Sequence, residues 1–166
     1  MIAAAPSASR PRMFGRRPTG PSVAWSWADE QLRTARNYWV ATASRSGGPH
    51  TRPFWGCWTA PNFEFSTGSR TIANVSANPQ VSIHLESGED VVILEGAARV
   101  VLEPARLQRF VLTYNAKYSA RLEVRGREVG DDTHGTGGVV VVRAEVVYGW
   151  QASVETATRW DLPRST

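Results

Sequence analysis

The run YWVATASRSGGPHTRPFWGCW, Tyr38 to Trp58, consists of two strand-like halves around a glycine turn. Tyr38 to Ser44 is rich in aromatic and β-branched residues, and Pro49 to Trp58 repeats that character. Between them, Arg45-Ser46-Gly47-Gly48 supplies glycines able to take positive φ, as a hairpin turn requires. Thr59-Ala60-Pro61-Asn62 turns again, into a third strand ending near Thr67. Gln80 to Glu86 alternates cleanly, with Val81, Ile83 and Leu85 on one side and Ser82, His84 and Glu86 on the other. Val91 to Glu103 is a long strand with Gly96 as its expected kink or bulge, and Gly138 to Trp150 is the last major strand.

Helical patterns sit between these strands. Ser26-Trp27-Ala28-Asp29 reads as a capping box opening a helix through Arg36. A short helix-compatible piece follows Arg70 and stops at Asn78-Pro79. Pro104 starts a third helix through Lys117, with Leu107, Phe110, Val111 and Tyr114 on one face. Residues 119–138 read as a long polar loop rich in glycine. Six strands in mostly antiparallel order, with helices at these places, predict a mainly β fold, a small closed or split β-barrel. The strands follow one another too closely for a doubly wound parallel sheet.

At 166 residues the chain suits one domain with a substantial core, and 42% hydrophobic with 20% charged residues is a globular balance. The net charge of +4 resides in Arg10, Arg12, Arg16 and Arg17, since the rest of the chain holds 15 basic and 15 acidic residues. The expectation is a disordered basic arm over 1–24 ahead of a folded domain over 25–166, and a solvated tail rather than a nucleic-acid stripe. No apolar run has the length of a membrane span or a signal-peptide core, so neither membrane nor export is predicted. Cys57 is the only cysteine, which excludes an internal disulfide and suits the cytoplasm.

The chain lacks a Gly-x-Ser-x-Gly elbow, and Cys57 has no nearby base in sequence, so it reads as a buried small hydrophobe. His50, His84 and His134 do not show metal-ligand spacing, and no catalytic residue or metal site is assigned. The stretch FSTGSRTIANVSANPQ, Phe65 to Gln80, is more informative. A strand leaves through Ser66, Thr67, Gly68, Ser69 and Arg70 into a helix. That is either an ordinary loop or a phosphate pocket, in which amides and hydroxyls meet the anion and Arg70 grips it from the side. Arg52 on a neighbouring strand favours the pocket. Trp55, Trp58, Trp150 and Trp160, the last beside Arg159, either fill the core or make a flat slot for a planar ring.

Taken in order, several segments resemble the pyridoxamine 5′-phosphate oxidase-like split β-barrels, the flavin/deazaflavin oxidoreductases. They are Tyr38-Trp39-Val40-Ala41-Thr42, Gly48 to Gly56, Phe65-Ser66-Thr67-Gly68, Asn74 with Asn78 to Ser82, Glu95-Gly96, and Thr158-Arg159-Trp160. The resemblance spans residues 27–160. It implies a six-stranded antiparallel split barrel and a homodimer, with FMN or the deazaflavin F420 bound between subunits. The implied activity is hydride transfer to or from a small planar organic substrate. By resemblance, Arg52, Pro53 and Trp55 line the ring edge and the phosphate approach. Ser66, Thr67, Gly68, Ser69, Arg70 and Asn74 surround the phosphate, while Trp150 and Arg159 arrive from the partner or the C-terminal tail. The turn departs from the family's common Ser/Thr-Arg-Lys-x-Arg-Asn, with Thr71 and Ala73 where Lys and Arg are frequent. That departure motivates an alternative, a non-catalytic barrel that binds or sequesters a flavin, haem or similar planar ligand.

Overall fold

The hairpin expected from Tyr38 to Trp58 forms with a break at Trp55, and that break closes the fold. The structure, a computed structural model, describes residues 5–163 apart from the side chain of Ser69. The first half runs β1 (Ser7–Ser9), α1 (Trp25–Thr34), β2 (Tyr38–Ala43), β3 (Pro49–Phe54), β4 (Gly56–Thr59), β5 (Asn62–Thr67) and α2 (Ser69–Ala77). The second runs β6 (Gln80–His84), β7 (Val91–Val101), α3 (Pro104–Tyr118), β8 (Glu123–Arg125), β9 (Glu128–Asp131), β10 (Gly135–Trp150) and β11 (Thr158–Asp161).

Pairing is antiparallel throughout: β3 to β2, β2 to β6, β6 to β7, β7 to β10, β10 to β5 and β5 to β4. Because β3 and β4 are one chain segment bent at Trp55, this series returns to its start. The six expected strands therefore make the split barrel, and β1, β8, β9 and β11 are additions to it. Gly56 permits the bend, since a Cβ there would stand 2.4 Å from the Phe63 ring. Gly96 has the expected role through its partner strand. The register of β10 slips between Ala144 and Val146, and a Cβ on Gly96 would lie 2.1 Å from the Arg143 carbonyl oxygen.

Inward positions of every barrel strand, among them Tyr38, Val40, Phe63, Phe65, Ile83, Leu94, Val140 and Val142, form the main core with Ala28 and Leu32 of α1. Val139 and Val141 point the other way, into a second core with Val101, Val129 and Leu107, Phe110 and Val111 of α3. Two faces buried at once explain why this run is continuously apolar rather than alternating.

Three expectations change. The capping box is not made: α1 starts at Trp25, and the Asp29 carboxylate instead accepts the Trp58 indole N–H at 2.8 Å. The supposed loop 119–138 folds into the β8–β9 hairpin, turned at Gly126 with φ +67°, and into the start of β10. Val124 and Val129 tie that hairpin to the second core. The described residues of the basic segment, expected to be a disordered arm, make long-range contacts. β1 pairs with β11, Arg10 donates to the Glu155 and Thr156 carbonyls, and Arg16 and Thr19 bond the Glu155 carboxylate. Its partners lie some 140 residues along the chain, so no local pattern announced them. Among the described residues, no helix is long and apolar enough to cross a membrane.

Candidate functional site

Period-two alternation along β3 turns His50, Arg52 and Phe54 to one face and Thr51 and Pro53 to the other. The same rule along β5 turns Thr67 inward with Phe63 and Phe65, and Ser66 outward with Glu64. α2 then begins directly after Gly68. Between β3, the end of β5 and the first turn of α2 lies a cleft of about 300 Å³, lined by His50, Arg52, Phe54, Thr67, Gly68, Arg70 and Thr71. Thr67 and Thr71 are buried, at 8% and 3% exposure, whereas both arginines are open to solvent. Neither Arg52 nor Arg70 forms an ion pair among the described residues, and no carboxylate lines the cleft. Two guanidiniums without carboxylate partners, two hydroxyls and the amide-bearing end of a helix are groups of the kind that bind anions.

His50 completes the cluster. Arg52 Nε donates to His50 Nε2 at 3.4 Å, which places the imidazole proton on Nδ1. Loss of hydration, followed by the positive charges of Arg70 and Arg52, holds this imidazole below its ordinary 6.5. Behind the cleft, Asn74 Nδ2 donates to Thr42 Oγ1 at 3.0 Å, and that hydroxyl donates to the His50 carbonyl at 3.3 Å. This buried chain joins α2, β2 and β3 and fixes the spacing across which Arg70 faces His50.

Of the residues expected at the site, the structure brings together Arg52, Thr67, Gly68 and Arg70. The side chain of Ser69 lies outside what is described. Asn74 is turned away from the cleft into the strut just given. Ser66 lies against Gly137 of β10, on the outer face. Pro53 points off the opposite side of β3, because a strand cannot present residues 52 and 53 to one ligand, and Trp55, at the bend after β3, does not line the cleft. Trp55 donates to Asn37 Oδ1, stacks on Tyr118 at 4.8 Å and lies under the Arg36 guanidinium at 4.5 Å. Trp150 stands twelve residues past Gly138 on β10, about 40 Å away along an extended strand. Arg159 is held by the Asp161 carboxylate and the Tyr148 hydroxyl. Neither of these last two lines the cleft of its own chain. Trp58 and Trp160 are core residues. The residues the sequence reading missed are His50, Phe54 and Thr71; the first two follow from Arg52 by the i±2 rule.

A second cationic place lies on the far side of the core. Lys117, the chain's only lysine, donates from Nζ to Tyr38 Oη at 2.7 Å and to the Gly56 carbonyl at 3.0 Å. It also stands 4.8 Å and 5.2 Å from the Tyr38 and Tyr118 ring centroids. Burial lowers its pKa to about 8. Burial likewise raises the Cys57 thiol to about 11, the behaviour of an inert buried cysteine.

Residues 27–151 match the family model described as pyridoxamine 5′-phosphate oxidase, and the chain belongs to that family. A conserved hypothetical protein from Mycobacterium tuberculosis shares the fold with a TM-score of 0.65 at 20% identity, over 88% of this chain and 92% of that one. An F420 reductase does so at 0.53 and 19% identity, over 71% and 94%. HutZ, the heme storage protein from Vibrio cholerae, gives 0.53 and 13%, over 72% and 87%. At these identities the likeness concerns the fold alone. No curated protein sequence matches the chain.

Proposed function

We propose that the cleft between β3 and α2 holds the phosphate of a flavin-type cofactor, F420 or FMN, and that the protein is an oxidoreductase. It would pass hydride between that cofactor and a small planar organic substrate. The observation that carries this reading is the pair Arg52 and Arg70, two guanidiniums without carboxylate partners facing one cleft with the Thr67 and Thr71 hydroxyls. The residues fit the group: guanidinium forks suit phosphate oxygens, and the α2 amides and buried hydroxyls offer further donors. The cofactor would supply the hydride chemistry, which accounts for a cleft without a nucleophile or a carboxylate base. The chain's own part is to grip the phosphate, orient the ring system beyond Phe54 and exclude water. F420 is the first candidate, because Tyr38 to Thr42 and Arg52 to Gly56 most resemble the deazaflavin-using branch.

The cleft is completed by a second copy of the chain in this reading. Pro53, Trp39, His84, Ile93 and Tyr148 are successive cross-strand neighbours on the outer face, a partly exposed row suited to a homodimer contact. A partner would also bring its own Trp150 and Arg159 to the neighbouring cleft. A buried lone thiol is consistent with a cytoplasmic protein.

Neutral Thr71 at the buried end of the cleft favours one second reading, a binder of flavin, haem or a similar planar ligand without turnover. Titration with F420 and FMN separately, with light scattering for the dimer, tests the first reading. Micromolar binding of one cofactor, weakened in Arg52→Ala and in Arg70→Ala, and oxidation of the reduced cofactor by an added acceptor are expected. Binding without oxidation by quinone, enone or tetrapyrrole acceptors would favour the second reading, and no binding of either cofactor would overturn the first.

A further inference from the structure

Proton linkage at His50 follows from what surrounds it. Arg52 on its own strand and Arg70 from α2 act on the imidazole, Thr71, Thr67 and Gly68 line the same cleft, and Thr42 of β2 holds the His50 carbonyl. All the charged ones are positive. In this arrangement a protonated imidazole would be a third cation among two, so His50 stays neutral and its Nε2 serves as an acceptor for Arg52. An arriving phosphate reverses both conditions. It supplies negative charge that cancels the repulsion, and it draws the Arg52 N–H groups to its own oxygens, which frees Nε2.

Resting on the phosphate reading of the cleft, we propose that His50 takes up one proton from solvent when a phosphate group enters, and then donates from Nε2 to a phosphate oxygen. The proton comes from water or buffer, goes onto Nε2, and leaves the same way when the ligand departs, so no other reactant is needed. His50 is thus a positioning and specificity residue. It adds a donor only when the ligand brings enough negative charge, and an uncharged ring system such as riboflavin would not recruit it. Binding of the phosphate-bearing cofactor accordingly strengthens as pH falls through the range where the bound histidine titrates. The Asn74–Thr42–His50 strut ties the backbone of β3 at His50 to β2 and α2, so the two elements that carry His50 and Arg70 are joined through contacts that do not involve the imidazole.

The chain contains three histidines, His50, His84 and His134, so their imidazole C–H resonances can be followed individually by NMR. The full chain is titrated with acid alone, with saturating FMN, with saturating F420, and with inorganic phosphate, and binding is measured in parallel by the optical signal of each cofactor. The expected result is a His50 midpoint below 6.5 in the free protein that rises by about one unit or more with bound ligand. A His50→Gln variant gives a second reading: for a one-unit rise the ratio of wild-type to variant affinity should grow by about fivefold between pH 8 and pH 6, on the way to the tenfold limit of such a shift. A bound cofactor that leaves the His50 midpoint unmoved, or an affinity ratio constant with pH, overturns this inference and leaves the cofactor reading intact. Absence of binding by every phosphate ligand overturns both.

Discussion

At the cleft, Arg52 and Arg70 stand in solvent with no carboxylate beside them, and apart from the Arg52 Nε bond to His50 they make no hydrogen bond among the described residues. Across the barrel, Lys117 is equally without a carboxylate, yet its ammonium is enclosed by two tyrosine rings, a hydroxyl and a backbone carbonyl. A row of rings joins the two places: Phe54 at the cleft, then Phe65 at 4.8 Å, Phe63 at 5.6 Å and Tyr38 at 4.5 Å, the last beneath Lys117. Lys117 has given its donors to the protein and bears the desolvation as a lowered pKa. The exposed arginines keep their donors for something else. An uncompensated cation therefore marks a ligand site only where its hydrogen bonds are also unspent.

The strongest challenge to this contrast is the double replacement of Arg52 and Arg70 by alanine. Each charge-assisted contact is worth about 1.5–3 kcal/mol, so cofactor affinity should fall by about 10²- to 10⁴-fold. The midpoint of chemical unfolding should hardly move, because both side chains are exposed. A large loss of stability with little loss of affinity would make these residues structural and collapse the distinction.

Tyr38→Phe should do the reverse. It removes the acceptor of Lys117 and the donor to the Leu32 carbonyl, both within the fold. A loss of about 1–3 kcal/mol of unfolding free energy is expected, read by urea titration, with cofactor affinity retained.

Lys117 also predicts a pH dependence. The unfolded lysine keeps its proton to the ordinary 10.5, while the folded one releases it near 8. Unfolding therefore takes up a proton between those values, and stability rises with pH there. Cys57 acts oppositely above 9.0, since its folded thiol holds its proton to about 11. The window that isolates Lys117 is thus about pH 7.5 to 9. With the partial exposure of the amine taken into account, wild type should gain about 1 kcal/mol across it, and Lys117→Met should be flat. Equal slopes in the two proteins would show that the lysine is not desolvated by the fold.

The smallest effect belongs to Arg16→Ala. It breaks a surface ion pair with Glu155, which solvent and salt screen. Thermal unfolding should detect a slight loss and titration no change at the cleft.

Much of the architecture was legible in advance. Strand alternation, the Gly47-Gly48 turn, the bulge at Gly96 and the strand–loop–helix at Thr67 to Arg70 are local patterns, and local patterns survive folding. Three residues read with the site lie outside the cleft of their own chain. Pro53 and Ser66 are strand neighbours of residues that do line it, and on a pleated strand neighbours face opposite ways, while Trp55 sits at the bend between β3 and β4. His50 was passed over as a lone histidine, although it stands two residues from Arg52 on the same face. Asn74 was placed correctly in the helix, but its partner Thr42 is distant in sequence, so its use as a strut had no local sign.

By itself the sequence determined the barrel class and the strand–turn–helix passage from Thr67 to Arg70, both of which rest on spacing between near neighbours. Only the tertiary structure decided that the chain bends at Trp55 to close the barrel, that Arg10 and Arg16 are moored to the Glu155 turn, and that His50 meets Arg70. Each of those depends on contacts between segments far apart in the chain, and such contacts are selected by packing and hydrogen-bond satisfaction, which no single stretch of residues contains.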